Sequence, residues 1–240
     1  MHLSGGEFAV AFVALLLGAV IQGSIGFGVN LVAVPIVALV APEALPATLI
    51  LVAFPLAVAM AFRERDAVHI SGVVWTSIGR LPGSILGAWI VVAISANSLS
   101  VVIGASVVAA AALSLITRPI PVTPATATVA GFAGGVTGTA AAIGGPPMAL
   151  LYQHHEGPTL RATMAGTFAI STVMSVVVLA IAGQVHGWQI WLSIALLPAV
   201  AIGLVASYFL HSHLDARWLR PVVLGFVATT GAVAIVNGLI

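Results

Sequence analysis

Charge is what this chain has least of: seven basic and six acidic residues among 240, or 5% of the total. With 61% hydrophobic residues and a mean hydropathy of +1.22, a soluble fold of this length could not keep its apolar surface from water, so an integral membrane protein is expected. Cysteine is absent, which excludes disulfides and thiolate metal sites. Polar linkers and low-complexity tracts are missing too, so function has to reside in the membrane bundle. Residues 1–7 hold no basic cluster, and no cleaved leader is expected. No HExxH, phosphate-binding loop, redox motif or Ser-His-Asp order is present. Neither an enzyme nor an ATP-driven pump is expected, and no cofactor, metal or nucleic acid is implied.

What is there is apolar sequence in lengths that suit a bilayer, for which about 20 residues per span are needed. Such runs occur at 44–62, 70–94, 99–117, 160–183, 187–210 and 219–239. They leave 8–41 and 125–155, each interrupted by a glycine-rich, proline-ended break. The first break reads Gln22-Gly23-Ser24-Ile-Gly26-Phe-Gly28 and runs on past Asn30 to Pro35. The second reads Gly134-Gly135-Val-Thr137-Gly138, then runs past Thr139 through Gly144-Gly145 to Pro146-Pro147. A broken helix or re-entrant hairpin fits both, because non-helical backbone at membrane depth needs partners in protein or in a watery cavity.

The two halves align. Gly23, Gly26 and Pro35 fall on Gly135, Gly138 and Pro147 at an offset of 112, and Trp75, Ser77, Pro82 and Gly87 fall on Trp191, Ser193, Pro198 and Gly203 at 116. The reading is an internal duplication with repeats at 1–118 and 125–240, each a broken hairpin plus three transmembrane helices. Arg63, Arg65, Arg118, Arg161, Arg217 and Arg220 all sit at span ends. If each hairpin returns to its own side, all six lie on one face, as cytoplasmic enrichment of positive residues requires. That makes the repeats inverted, in a multi-pass protein of the cell inner (plasma) membrane with both termini extracytoplasmic.

Glycine lets backbone approach a ligand, and a half-helix restarting after a break offers unpaired N–H groups and a positive dipole end, a setting that holds anions. Gln22, Ser24, Asn30, Thr137 and Thr139 add side-chain donors beside the glycines Gly23, Gly26, Gly28, Gly135, Gly138, Gly144 and Gly145, with Pro146 closing the second break. The competing reading is that these small residues only allow close helix packing. Arg80 is the one basic residue deep in a span, an anion contact or else an arginine snorkelling to the interface. His154-His155-Glu156 is open to two readings, a proton relay or a polar surface loop. Arg161 either attracts anions at the mouth or anchors the span. Arg63-Glu64-Arg65-Asp66 reads as a solvated, self-compensating loop. None of the six acidic residues lies mid-span, which disfavours a carboxylate-based proton relay.

Gly18-Ala-Val-Ile-Gln22-Gly-Ser-Ile-Gly-Phe-Gly28, followed by Leu31 and Pro35, resembles the first signature of the TauE/SafE sulfite-exporter family. Gly131-Phe-Ala-Gly-Gly-Val-Thr-Gly138 with Gly144-Gly-Pro-Pro147 resembles the second, and Arg161-Ala-Thr-Met and Gly183-Gln184 are similar to that family's C-terminal half. The resemblance implies a secondary carrier exporting a small sulfur oxyanion, sulfite or an organosulfonate such as sulfoacetate. An anion channel and a carrier for a different small solute are the alternatives. A small-residue stripe from Gly104 to Leu113 suits packing within one chain or between two copies in a homodimer.

Overall fold

The computed structural model describes residues 3–26, 28–94, 96–114, 118–210, 225, 229–233 and 235–236. Among these the regular structure is wholly helical: α1 (Gly5–Ile25), α2 (Val29–Val40), α3 (Ala47–Arg63), α4 (Ile70–Ala93), α5 (Ala96–Ser114), α6 (Pro124–Ala141), α7 (Pro146–Tyr152), α8 (Gly157–Ile181) and α9 (Gly187–Leu210). Four of them, α1, α4, α8 and α9, are long and apolar enough to cross a membrane. With 17 residues α3 is shorter. The expected span 219–239 lies largely outside the described residues, as do Arg217 and Arg220.

Both breaks are narrower than the glycine pattern predicts. A capping box between Ser4 and Glu7 starts α1 at Gly5, and the helix runs through Gln22, Gly23 and Ser24 before stopping at Gly26 (φ 96°). The arm is therefore 21 residues long. Gly28 (φ 129°) launches α2. In the second half α6 passes uninterrupted through Gly131, Gly134, Gly135 and Gly138, and the chain breaks only at Ala142 (φ 57°). The physical reason is α4. A Cβ on Gly131 would collide with the Thr76 backbone, and one on Gly135 would lie 2.6 Å from the Arg80 carbonyl oxygen. These glycines hold two backbones together and do not bend one.

Helix α4 is turned inside out relative to a soluble amphipathic helix. Its buried face is Gly72, Thr76, Gly79, Arg80, Gly83, Ser84 and Gly87, whereas Ile78, Leu81, Ile85, Trp89 and Val92 are exposed. Lipid is as apolar as leucine, so what drives burial here is close approach of small residues and satisfaction of polar ones. The same holds for α8, with Thr163, Thr167, Ser171 and Ser175 buried and Ile170, Val173 and Val177 outside. Because the α4–α6 contact has no slack, Gly131→Ala is expected to cost about 1–3 kcal/mol by overpacking. A lowered unfolding temperature in detergent checks this, with Gly5→Ala, where a Cβ meets only open space, as the unaffected control.

Packing pairs α4 with α6, α1 with α9 and α3 with α8, while α4 also touches α8 and α3 touches α9. Helices α3 and α8 run antiparallel. At one end Arg161 of α8 meets Glu64 just past α3; at the other, Gln189 of α9 donates to the Glu43 carbonyl just before α3. Gly104 on α5 abuts Gly231 and Ile235 of the same chain, so this part of the small-residue stripe packs internally.

Candidate functional site

The two breaks meet. Asn30, in the first turn of α2, donates from Nδ2 to the Ala142 carbonyl at 2.9 Å, tying one break to the other across 112 residues of sequence. Beside this strap lies a cavity of about 60 Å³. A buried water needs roughly 10–15 Å³ on such a measure, so the space suits a few waters or one small ion.

One wall comes from the first break, with Gln22, Gly28, Val29 and Asn30; another comes from the second, with Gly138, Ala142, Gly144 and Gly145. Arg80 reaches in from the middle of α4. The residue is 5% exposed, and its Nε and Nη1 have no hydrogen-bond partner. The guanidinium lies against bare glycine backbone: a Cβ at Gly144 would sit 2.6 Å from Nη2 and 2.7 Å from Nη1, and one at Gly138 would strike Nη2. Among the described residues no acidic side chain lines the cavity. An arginine held away from water without a carboxylate is costly unless something anionic meets it.

Sequence reasoning passed over the third wall, which is α8. Phe168, Ser171, Thr172 and Ser175 line it, with Ile50, Ala53 and Ala57 of α3 completing the apolar side. The Ser171 hydroxyl is buried without a partner. Ser175 is 2.8 Å from the Thr139 hydroxyl, which backs it from α6. The signal was present: Thr163, Thr167, Ser171 and Ser175 recur every four residues, one face of a helix.

Several expected donors point elsewhere. Ser24 donates to the Val20 carbonyl at 2.8 Å and Thr137 to that of Ala133 at 3.0 Å, so each hydroxyl proton is committed to its own helix. The Gln22 side-chain oxygen accepts from Val29 N–H at 3.1 Å, capping α2. Gly23 packs against Ser207 of α9, Gly26 against Arg161, and Gly135 against α4. Pro146 and Pro147 open α7, and proline has no N–H, so the second break brings fewer donors than the first. His154 and His155 follow α7; the His155 ring lies tilted against Tyr152 at 4.9 Å between ring centroids, and neither lines the cavity.

Arg161 belongs to a second cluster. Its Nε donates to Glu64 Oε1 at 2.7 Å, and Arg63 Nη2 reaches the same oxygen at 3.2 Å. Arg63 also donates to the Gly23 carbonyl at 3.2 Å. The Arg63–Asp66 stretch is thus not merely a self-compensating loop: Glu64 joins the end of α3 to the start of α8, directly over the first break.

Membrane-length helices packed around a cavity walled by two backbone breaks and a buried arginine are the build of a membrane transporter. The family model for Sulfite exporter TauE/SafE matches residues 10–234. The chain belongs to that family of membrane transporters. No curated protein matches it, and no solved structure does.

Proposed function

We propose that the protein is a secondary carrier that exports a small sulfur oxyanion, sulfite or a short organosulfonate, across the cell inner membrane. The observation that carries this reading is Arg80, a buried guanidinium with free N–H groups in a cavity built from both breaks. Around it the Ser171 hydroxyl and the first N–H groups of α2 at Asn30 and Leu31 supply further donors, at the positive end of the α2 dipole. Oxyanion oxygens are acceptors, and this donor set complements them.

Inverted repeats are part of the proposal. Exchanging the halves turns the α4–α6 contact into α9–α1 and the α4–α8 contact into α9–α3, and leaves α3–α8 unchanged. That reciprocity supports a pseudo-twofold axis through the α3–α8 contact. The hairpins α1–α2 and α6–α7 would then enter from opposite faces, with both termini extracytoplasmic. Transport follows from one half rocking against the other around the cavity. Saturable, Arg80-dependent uptake of sulfite into proteoliposomes tests the reading; a chloride conductance with no saturable sulfur-anion flux would replace the carrier by a channel.

In this scheme the Arg161–Glu64–Arg63 cluster is the latch on the arginine-rich face. Glu64→Gln removes the shared carboxylate, and a partly buried ion pair of this kind holds the closed form by about 1 kcal/mol, a several-fold shift in population. The native chain has no cysteine, so a single Ala57→Cys in the cavity wall reports access without background. Its labelling by an impermeant maleimide from that face is expected to rise about fivefold in the Glu64→Gln protein. Unchanged labelling would remove the latch from the mechanism.

A further inference from the structure

We infer that the cavity takes singly charged anions and rejects doubly charged ones. The inference rests on the anion-carrier reading and concerns the same site. Among the described residues that line the cavity, Arg80 is the only charged one, and none is a carboxylic acid or a histidine. Helix α6, which packs along α4, contains no ionisable side chain at all. On α8 the single charged residue is Arg161, and on α3 it is Arg63; both are engaged with Glu64. On α7 the one ionisable group, Tyr152, bonds His69 at 2.6 Å, and neither lines the space.

One fixed positive charge therefore faces whatever enters. A monoanion brings the cavity to neutrality, and a dianion leaves one negative charge without a counter-charge in a low-dielectric interior. Neutral donors such as Ser171 and the α2 N–H groups serve oxyanion oxygens of either charge and do not discriminate.

For sulfite the accepted form is hydrogen sulfite. Its proton then crosses on the substrate itself, and one negative charge moves per turnover. No proton-carrying side chain is required, which fits a cavity where no carboxylate or histidine stands among the described lining residues.

Isothermal titration of the purified full chain with sulfite, methanesulfonate and sulfate tests this apart from transport. Methanesulfonate is a monoanion and sulfate a dianion throughout the neutral range. Sulfite affinity is expected to weaken about tenfold per pH unit above the second ionisation of sulfurous acid, while methanesulfonate affinity stays level. Sulfate is expected to bind at least about 100-fold more weakly than hydrogen sulfite, about 2.7 kcal/mol at about 1.4 kcal/mol per tenfold. Arg80→Lys should keep this preference, and Arg80→Gln should lose it together with the affinity. Sulfate binding as tightly as hydrogen sulfite, or sulfite affinity that climbs with pH, overturns the inference. Valence-selective binding without any flux in proteoliposomes would sustain it while sinking the exporter reading. Failure of all three anions to bind would sink both.

Discussion

Replacing Arg80 with leucine is expected to reduce saturable anion flux by at least about 100-fold, to the level of protein-free vesicles. The argument starts from its surroundings. Nε and Nη1 of Arg80 have no partner, so the free protein gains little from the charge and bears its desolvation. Insertion scales put a mid-span arginine at about 2.5–3.5 kcal/mol against the membrane. Leucine removes that penalty and the anion contact together. The unfolding temperature of the leucine variant should accordingly hold steady or rise while flux disappears. An arginine with a purely structural role would behave in the opposite way, with stability and flux falling together. Arg80→Lys keeps a point charge but loses the planar fork and some reach, so partial flux with a raised KM is expected. Wild-type flux in the leucine variant would remove Arg80 from the site.

How much of this was legible in the sequence depended on whether a signal was local. The bounds of α4 and α9 follow the apolar runs at 70–94 and 187–210 almost to the residue, because length and hydropathy alone set them. Arg80 stood out as the lone cation within such a run. The breaks were found but drawn too wide: glycine within a membrane helix reads the same whether it ends the helix or admits a neighbour, and only the placement of α4 against Gly131 and Gly135 separates the two. Ser24 and Thr137 had the chemistry of anion donors, but a hydroxyl in a helix also has its own carbonyl four residues back, and both used it. Ser171 and Ser175 were passed over because α8 is strongly apolar on average, though their four-residue spacing was in view. The Arg161–Glu64–Arg63 cluster is the clearest case of information that a single sequence withholds. Glu64 sits between two arginines that neutralise it on paper, and its shortest contact comes from Arg161, 97 residues away.

Gly144→Ala is expected to weaken anion affinity by about 10–100-fold, chiefly through Arg80. Gly144 does not occupy the left-handed region, so alanine meets no backbone objection there. The obstacle is space. The added methyl would lie 2.6 Å from Nη2, 2.7 Å from Nη1 and 2.7 Å from the Gly134 carbonyl oxygen. The carbonyl is α6 backbone and yields only with a shift of the chain around Gly144, which costs stability; the guanidinium is the end of a flexible side chain and yields further, swinging out of the position from which it faces the cavity. A substitution that acts by displacing one side chain has no further effect once that side chain is gone. In the Arg80→Gln background, therefore, Gly144→Ala should change residual anion affinity little, and the double-mutant cycle should return a coupling of about 1–3 kcal/mol. Additive losses in that cycle would mean that Gly144 contributes through its own backbone, and the cavity would then be a glycine nest with an arginine beside it, not an arginine site framed by glycine.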